Sequence, residues 1–298
     1  MNTSSAYGFC FMTSAAFVGS LHTLVPKHVR ALDRNDPRQI KWRSFATGFV
    51  CIGALIGRTY LLSDHEKLAV MPSPSDLTIS LSQTLSASAK ALFHVGTLYT
   101  GPILQGITCV AAYMKHHSSF SAPEYFKSLY AYHIEPTMRS LSFKDDKGWE
   151  SWRNLIIAPL MEEVAFRTCM IPILVASGLS ESAVCWTAPL FFGIAHAHHA
   201  THRIRQGTRP ATVAIQTLFQ FAYTTLFGAY ASFVFMRTHS TMAIVLTHGF
   251  CNWMGLPNFL FIQKQHLLYD YRRELLLAHL LGCVCFGAGL LGGLFASP

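Results

Sequence analysis

The chain has 298 residues, of which 51% are hydrophobic and only 13% charged, with a formal net charge of +8. Soluble domains usually carry about 25% charged residues, so this composition excludes an ordinary soluble enzyme and places the chain in a membrane. The basic balance does not point to nucleic acid, because no basic stripe with interleaved aromatics lies in a polar region.

Eight apolar segments follow one another, each near the ~20 residues that a spanning helix needs. They run roughly Ala6–Val25, Ser44–Leu62, Ala91–Tyr113, Asn154–Ser177, Ala183–His199, Ala211–Phe235, Met242–Phe261 and Leu275–Phe295. The expected fold is all-α, a polytopic bundle of about eight transmembrane helices forming one integral-membrane domain over 1–298. The first segment has neither a basic n-region nor a small-residue cleavage site, and is expected to be a retained helix rather than a removed signal peptide. Asn2-Thr-Ser is a formal glycosylation sequon, so close to that helix that it is expected to stay unused. Gly101-Pro102 breaks the third segment, and Pro159 and Pro189 should kink the fourth and fifth. The third loop, Lys115 to Arg153, carries Phe120, Tyr125, Phe126, Leu129, Tyr130 and Tyr132. Part of it is therefore either a short interfacial helix or an ordinary polar loop.

Lys and Arg are distributed unevenly. The first loop holds Lys27, Arg30, Arg34, Arg38, Lys41 and Arg43, and the third holds Lys115, Lys127, Arg139, Lys144, Lys147 and Arg153. The fifth adds Arg203, Arg205 and Arg209, and the seventh adds Lys264, Arg272 and Arg273. The even loops have only Lys67, Lys90 and Arg237. The positive-inside rule then makes the odd loops cytosolic and both termini lumenal or external. The eight cysteines fall almost entirely in apolar segments, which opposes a disulfide framework and suggests small buried thiols.

Against this background three polar groupings stand out. Glu162-Glu163-x-x-x-Arg167 lies inside the fourth segment, where a carboxylate costs roughly 2.5 kcal/mol or more. Glu163 and Arg167 are i,i+4 neighbours that can pair, whereas Glu162 points about 100° away and needs a partner from another helix. Phe192-x-x-x-His196 lies on one face of the fifth segment, where the ring could wall a pocket that the imidazole enters. His198, His199 and His202 at that helix end read as interfacial rather than catalytic. His248-x-x-x-Asn252 puts two hydrogen-bond donors on one face of the seventh segment.

These groups share a depth band. At a 1.5 Å rise per residue, Glu162 lies about 12 Å inside the cytosolic helix end, His196 about 5–8 Å, and Asn252 and His248 about 14–20 Å. A carboxylate and an imidazole can hold and deprotonate a water, while His248 and Asn252 could donate to an oxyanion. Neither a GxSxG elbow nor HExxH is present, although Glu162, His196 and His248 could in principle ligate zinc. A proton-coupled transporter using the intramembrane Glu and His is the reading from another class, but no inverted repeat supports it.

In that order, Glu162-Glu163-x-x-x-Arg167, Phe192-x-x-x-His196 and His248-x-x-x-Asn252 resemble the motifs of the CPBP intramembrane protease family. The flanking His248-Gly-Phe-Cys-Asn-Trp-Met-Gly-Leu-Pro257 looks like its eukaryotic branch, the type II CAAX prenyl endopeptidases. The likeness spans a catalytic core at 152–257, with 1–151 supplying N-terminal transmembrane helices and a cytosolic loop. It implies a multi-pass protein of the endoplasmic reticulum membrane, with its site open to the cytosol. Such an enzyme would remove the last three residues of farnesylated or geranylgeranylated CaaX proteins, among them Ras-like small GTPases. By motif position, Glu162 and His196 resemble the pair that activates water, and His248 and Asn252 the oxyanion donors. Glu163, Arg167 and Phe192 fall at supporting positions. No cofactor is implied, and zinc stays open.

Overall fold

Backbone polar groups in lipid must be satisfied internally, which a helix achieves within a single segment. The computed structural model describes residues 1–62, 81–116, 122–129, 131, 146–195 and 207–292, and contains no strand among them. The helices are α1 (Thr3–Thr23), α2 (Pro37–Leu61), α3 (Leu81–Leu98), α4 (Thr100–His116) and α5 (Ala122–Leu129). A continuous helical path over 146–176, α6, follows, and then α7 (Glu181–Ala195), α8 (Pro210–Thr238), α9 (Thr241–Met254) and α10 (Arg272–Leu291).

Local chemistry sets the boundaries. The Asn2 side chain accepts from Ser5 N and starts α1, so the sequon asparagine is a helix cap. Asp36 caps α2 in the same way, with Pro37 at the first position, where a missing N–H costs nothing. His239, at φ 50°, closes α8, and Ser240 immediately caps α9. Gly255, at φ 66°, ends α9, and Pro257 follows.

Each expected segment has a helical counterpart, with two corrections. The third is two helices, and the break falls at Tyr99 rather than at Gly101-Pro102. Proline is compatible with a first turn, so α4 absorbs Pro102 and α3 must end before it. The seventh stops at Met254, not near Phe261. Asn252 is therefore about 3 Å, and His248 about 9 Å, from that helix end, shallower than the full-length segment implied.

Three helices, Pro37–Leu61, Pro210–Thr238 and Tyr269–Leu291, are long and apolar enough to cross a membrane by length and composition. Among the described residues that measure picks out these three, and it does not establish the count of eight. The chain is nonetheless a multi-pass helical membrane protein: large apolar side chains face outward, including Phe45 and Phe49 on α2, Leu218 and Phe219 on α8, and Leu277 and Leu280 on α10. Cys283 and Cys285 share that outward exposure on α10, against the expectation of burial, whereas Cys10, Cys51 and Cys169 are buried. The loop segment Ala122–Leu129 forms a short helix, with Phe126 exposed, while Phe120, Tyr130 and Tyr132 lie outside the described residues.

The core gathers around the second half of α6. Ala165, Phe166, Cys169, Met170, Ile173 and Leu174 are buried in the main cluster. α6 meets α1, α2, α7, α8 and α9, so polar side chains on it face five neighbours rather than lipid.

A candidate active site inside the bundle

Helix α6 is not a regular α-helix. Two π-helical turns, Arg153–Ile157 and Val164–Cys169, flank the α-helical segment Ala158–Glu163. Such insertions cluster at functional sites because they redirect side chains and free carbonyls. The prolines explain part of this. Pro159 has no N–H for the Leu155 carbonyl, and Pro172 has none for that of Thr168. The Thr168 oxygen is instead satisfied by Arg58 Nη1 at 2.9 Å. The Leu155 carbonyl faces Gly249 of α9, where a β-carbon would overlap it, so glycine lets the two backbones meet. The neighbouring Asn154 carbonyl accepts from Asn252 Nδ2 at 2.9 Å.

Helix α9 is thus held against α6 beside the glutamates, and four ionisable side chains meet there. Glu163 Oε1 lies 3.2 Å from Arg167 Nη1 and 2.7 Å from His248 Nδ1. On its other nitrogen, His248 Nε2 faces Glu162 Oε2 at 3.7 Å. Glu163 and Arg167 are essentially fully buried, while the Glu162 side chain retains 20% exposure and can be reached from the adjoining cavity. An ionised Glu163 only accepts hydrogen bonds, so it assigns the Nδ1 proton to His248 and turns Nε2 toward Glu162.

Apolar and aromatic groups enclose the pair. The Arg167 guanidinium sits 4.6 Å from the centre of the Phe192 ring, a cation–π contact, and Phe227 lies 4.9 Å from the His248 ring. Gly228 of α8 leaves room for Arg167, since a β-carbon there would come within 2.8 Å of Nη2. Glu163 Oε2 and Arg167 Nε and Nη2 find no hydrogen-bond partner among the described residues. The low dielectric of the interior strengthens the contacts that Glu163 and Arg167 do make.

Two of the three groupings read from sequence are therefore brought together. Glu162, Glu163, Arg167 and His248 form one cluster, and Asn252 lies at its edge, engaged with α6. Phe192 packs its ring face against the Arg167 guanidinium. His196, with His198, His199 and His202, lies outside the described residues. Among the described residues no group of three or more His, Cys, Asp or Glu side chains could hold a metal. The sequence reading missed Asn154, Leu155, Phe227 and Gly228. Pro159 was the available signal for the first two, since it leaves a carbonyl unpaired, and nothing in sequence marked the others.

Comparison with known proteins bears on the same segment. The profile of the family "Type II CAAX prenyl endopeptidase Rce1-like" matches residues 146–254, which contain the whole cluster. A protein of Schizosaccharomyces pombe named probable CAAX prenyl protease 2 is 34% identical over 254 residues, covering 84% of this chain and 81% of its own. The CAAX prenyl protease 2 of Homo sapiens is 32% identical over 282 residues, 93% of this chain and 77% of that one. Its namesake in Arabidopsis thaliana is 32% identical over 168 residues, 56% of this chain and 51% of that one. No solved structure gives a significant match. With identity of this order running through most of both chains, this protein belongs to the type II CAAX prenyl endopeptidase Rce1-like family.

Proposed function

We propose that this protein is an endopeptidase that removes the C-terminal tripeptide from prenylated CaaX proteins, Ras-like small GTPases among them, at the cytosolic face of the endoplasmic reticulum membrane. The observation that carries the reading is the coupled cluster Glu162, His248, Glu163 and Arg167 within the family-matched segment. The names of the relatives supply the substrate class.

The chemistry divides among the residues. Glu162, the more accessible carboxylate, takes a proton from water as that water attacks the scissile carbonyl, with His196 as its partner. Glu163 orients the His248 ring through Nδ1, and Arg167 holds the Glu163 carboxylate in place. His248 donates to a developing oxyanion from Nε2 only when it carries both protons, and otherwise Nε2 accepts from a water shared with Glu162. Asn252 contributes its second amide hydrogen while the first is held by Asn154. A site within the membrane suits a substrate whose isoprenoid partitions into hydrocarbon while its peptide comes from the cytosol. The excess of Lys and Arg in odd loops supports that orientation, with both termini lumenal.

The test is cleavage of a farnesylated CaaX peptide against the same peptide without the lipid, using purified protein in vesicles. Release of the tripeptide from the lipidated peptide, at least ~10-fold faster at low substrate, is expected, since the isoprenoid concentrates substrate at the membrane. No release from either would sink the reading. A second expected outcome concerns cofactors: cleavage is unchanged after exhaustive chelation, because the water is activated by carboxylate and imidazole alone. Loss on chelation with recovery on adding zinc would instead assign the reaction to a metal.

A further inference from the structure

Glu162 lines one side of a partly open cavity of about 120 Å3 between α1, α2, α6 and the loop before α2. Its inner wall is apolar, with Phe17, Leu21, Ile40 and Phe166, and its other end is lined by Arg34, Arg43 and Arg153. The three come from separate elements: the loop before α2, α2 itself, and the first π turn of α6. Their grouping is built rather than incidental. Arg153 Nη1 donates to the Arg34 carbonyl at 3.0 Å and to Asn35 Oδ1 at 2.9 Å, which ties the loop to α6. Arg153 also lies 3.6 Å from Glu150. Arg43 donates only to the neutral Gln39, and among the described residues neither Arg34 nor Arg43 forms an ion pair. Glu150 and Asp33 act on Arg153, but Arg34 and Arg43 have no ion-pair partner among the described residues, and this excess of positive charge suits an anion entering by the cavity.

We infer that these arginines bind the free C-terminal carboxylate of the substrate, so that the tripeptide to be released lies along the cavity with its scissile carbonyl at Glu162. This rests on the peptidase reading above. The length agrees. Nine residues of α6 separate Arg153 from Glu162, about 13 Å of helix rise, whereas three extended residues span about 10–11 Å and an arginine side chain closes the remainder. The apolar wall suits the aliphatic side chains of such a tripeptide. The cluster would also set the cut: a carboxylate anchored one tripeptide away leaves a single peptide bond at the glutamate.

The experiment compares a farnesylated CaaX peptide bearing a free carboxylate with the same peptide ending in a carboxamide, in vesicles of phosphatidylcholine alone. The unaltered protein is expected to cleave the carboxamide at least ~10-fold less efficiently, chiefly through KM, since the anchor acts equally before and during the reaction. Arg34→Gln and Arg43→Gln should narrow that ratio toward one. Arg34 is exposed and its change carries little folding risk, which keeps the test informative should Arg43→Gln fail to fold. Equal cleavage of both peptides by the unaltered protein overturns the inference while leaving the peptidase reading standing. Equal losses by the variants on both peptides, or losses seen only with phosphatidylserine vesicles, also overturn it, the latter in favour of a lipid headgroup. Cleavage of neither peptide by the unaltered protein removes the peptidase reading and this inference together.

Discussion

Glu162→Ala is expected to abolish release of the tripeptide from a farnesylated CaaX peptide while the protein still inserts and unfolds at its normal temperature. The reasoning starts from accessibility. Of the two adjacent carboxylates, Glu163 is fully buried and committed to Arg167 and His248, so neither of its oxygens is open to a substrate. Glu162 keeps exposure toward the cavity, and its nearest cation-capable neighbour among the described residues is His248 Nε2, at 3.7 Å. A positioned general base contributes about 10²–10⁴ in rate, so kcat should fall by at least that range. Because Glu162 closes no short ion pair, its loss should cost the fold little. Glu162→Gln, which keeps the shape and removes the basicity, should be as inactive as alanine, and His196→Ala equally so under the proposed pairing. Full activity in Glu162→Ala would refute the assignment of the base.

How much of this was legible in the sequence depends on range. The Glu163–Arg167 pair was readable because i,i+4 spacing on one helix is a local rule. The meeting of α9 with α6 was only hinted at, since it depends on a contact between residues 94 positions apart, Leu155 and Gly249, made possible by a missing side chain and a proline-freed carbonyl. Pro159 was read as a kink, whereas the structure takes up the lost hydrogen bond as a π turn. That turn supplies the carbonyl that Asn252 binds. His248 was read with Asn252 as a pair of donors, yet it bridges both glutamates, a fact of tertiary placement that spacing within one segment does not contain. The end of α9 was overestimated because hydropathy continues past Gly255, although Gly255-Leu-Pro257 carried the stop signal. The pairing of Glu162 with His196 concerns a residue outside those described.

Arg167→Met is expected to destabilise the protein and to remove its activity, and a second substitution separates the two effects. Arg167 and Glu163 are both buried, so deleting the guanidinium removes the permanent counter-charge of an interior carboxylate and leaves it only His248 as partner among the described residues. Breaking such a pair costs about 3–5 kcal/mol, which should lower the apparent unfolding temperature in detergent by several degrees. Methionine fills much of the volume against Phe192 and beside Gly228, so lost packing is the smaller part. Adding Glu163→Gln removes the orphaned charge, and the double variant should recover most of the stability. Its activity should not return. The amide oxygen can still accept from His248 Nδ1, but the charged contact that orients the imidazole is gone, and the defect should appear in kcat rather than KM. A double variant that regained both stability and turnover would show that the ion pair merely fills the core. Recovery of stability alone would mean that a buried pair, itself making no contact with substrate, sets the state of the histidine that does.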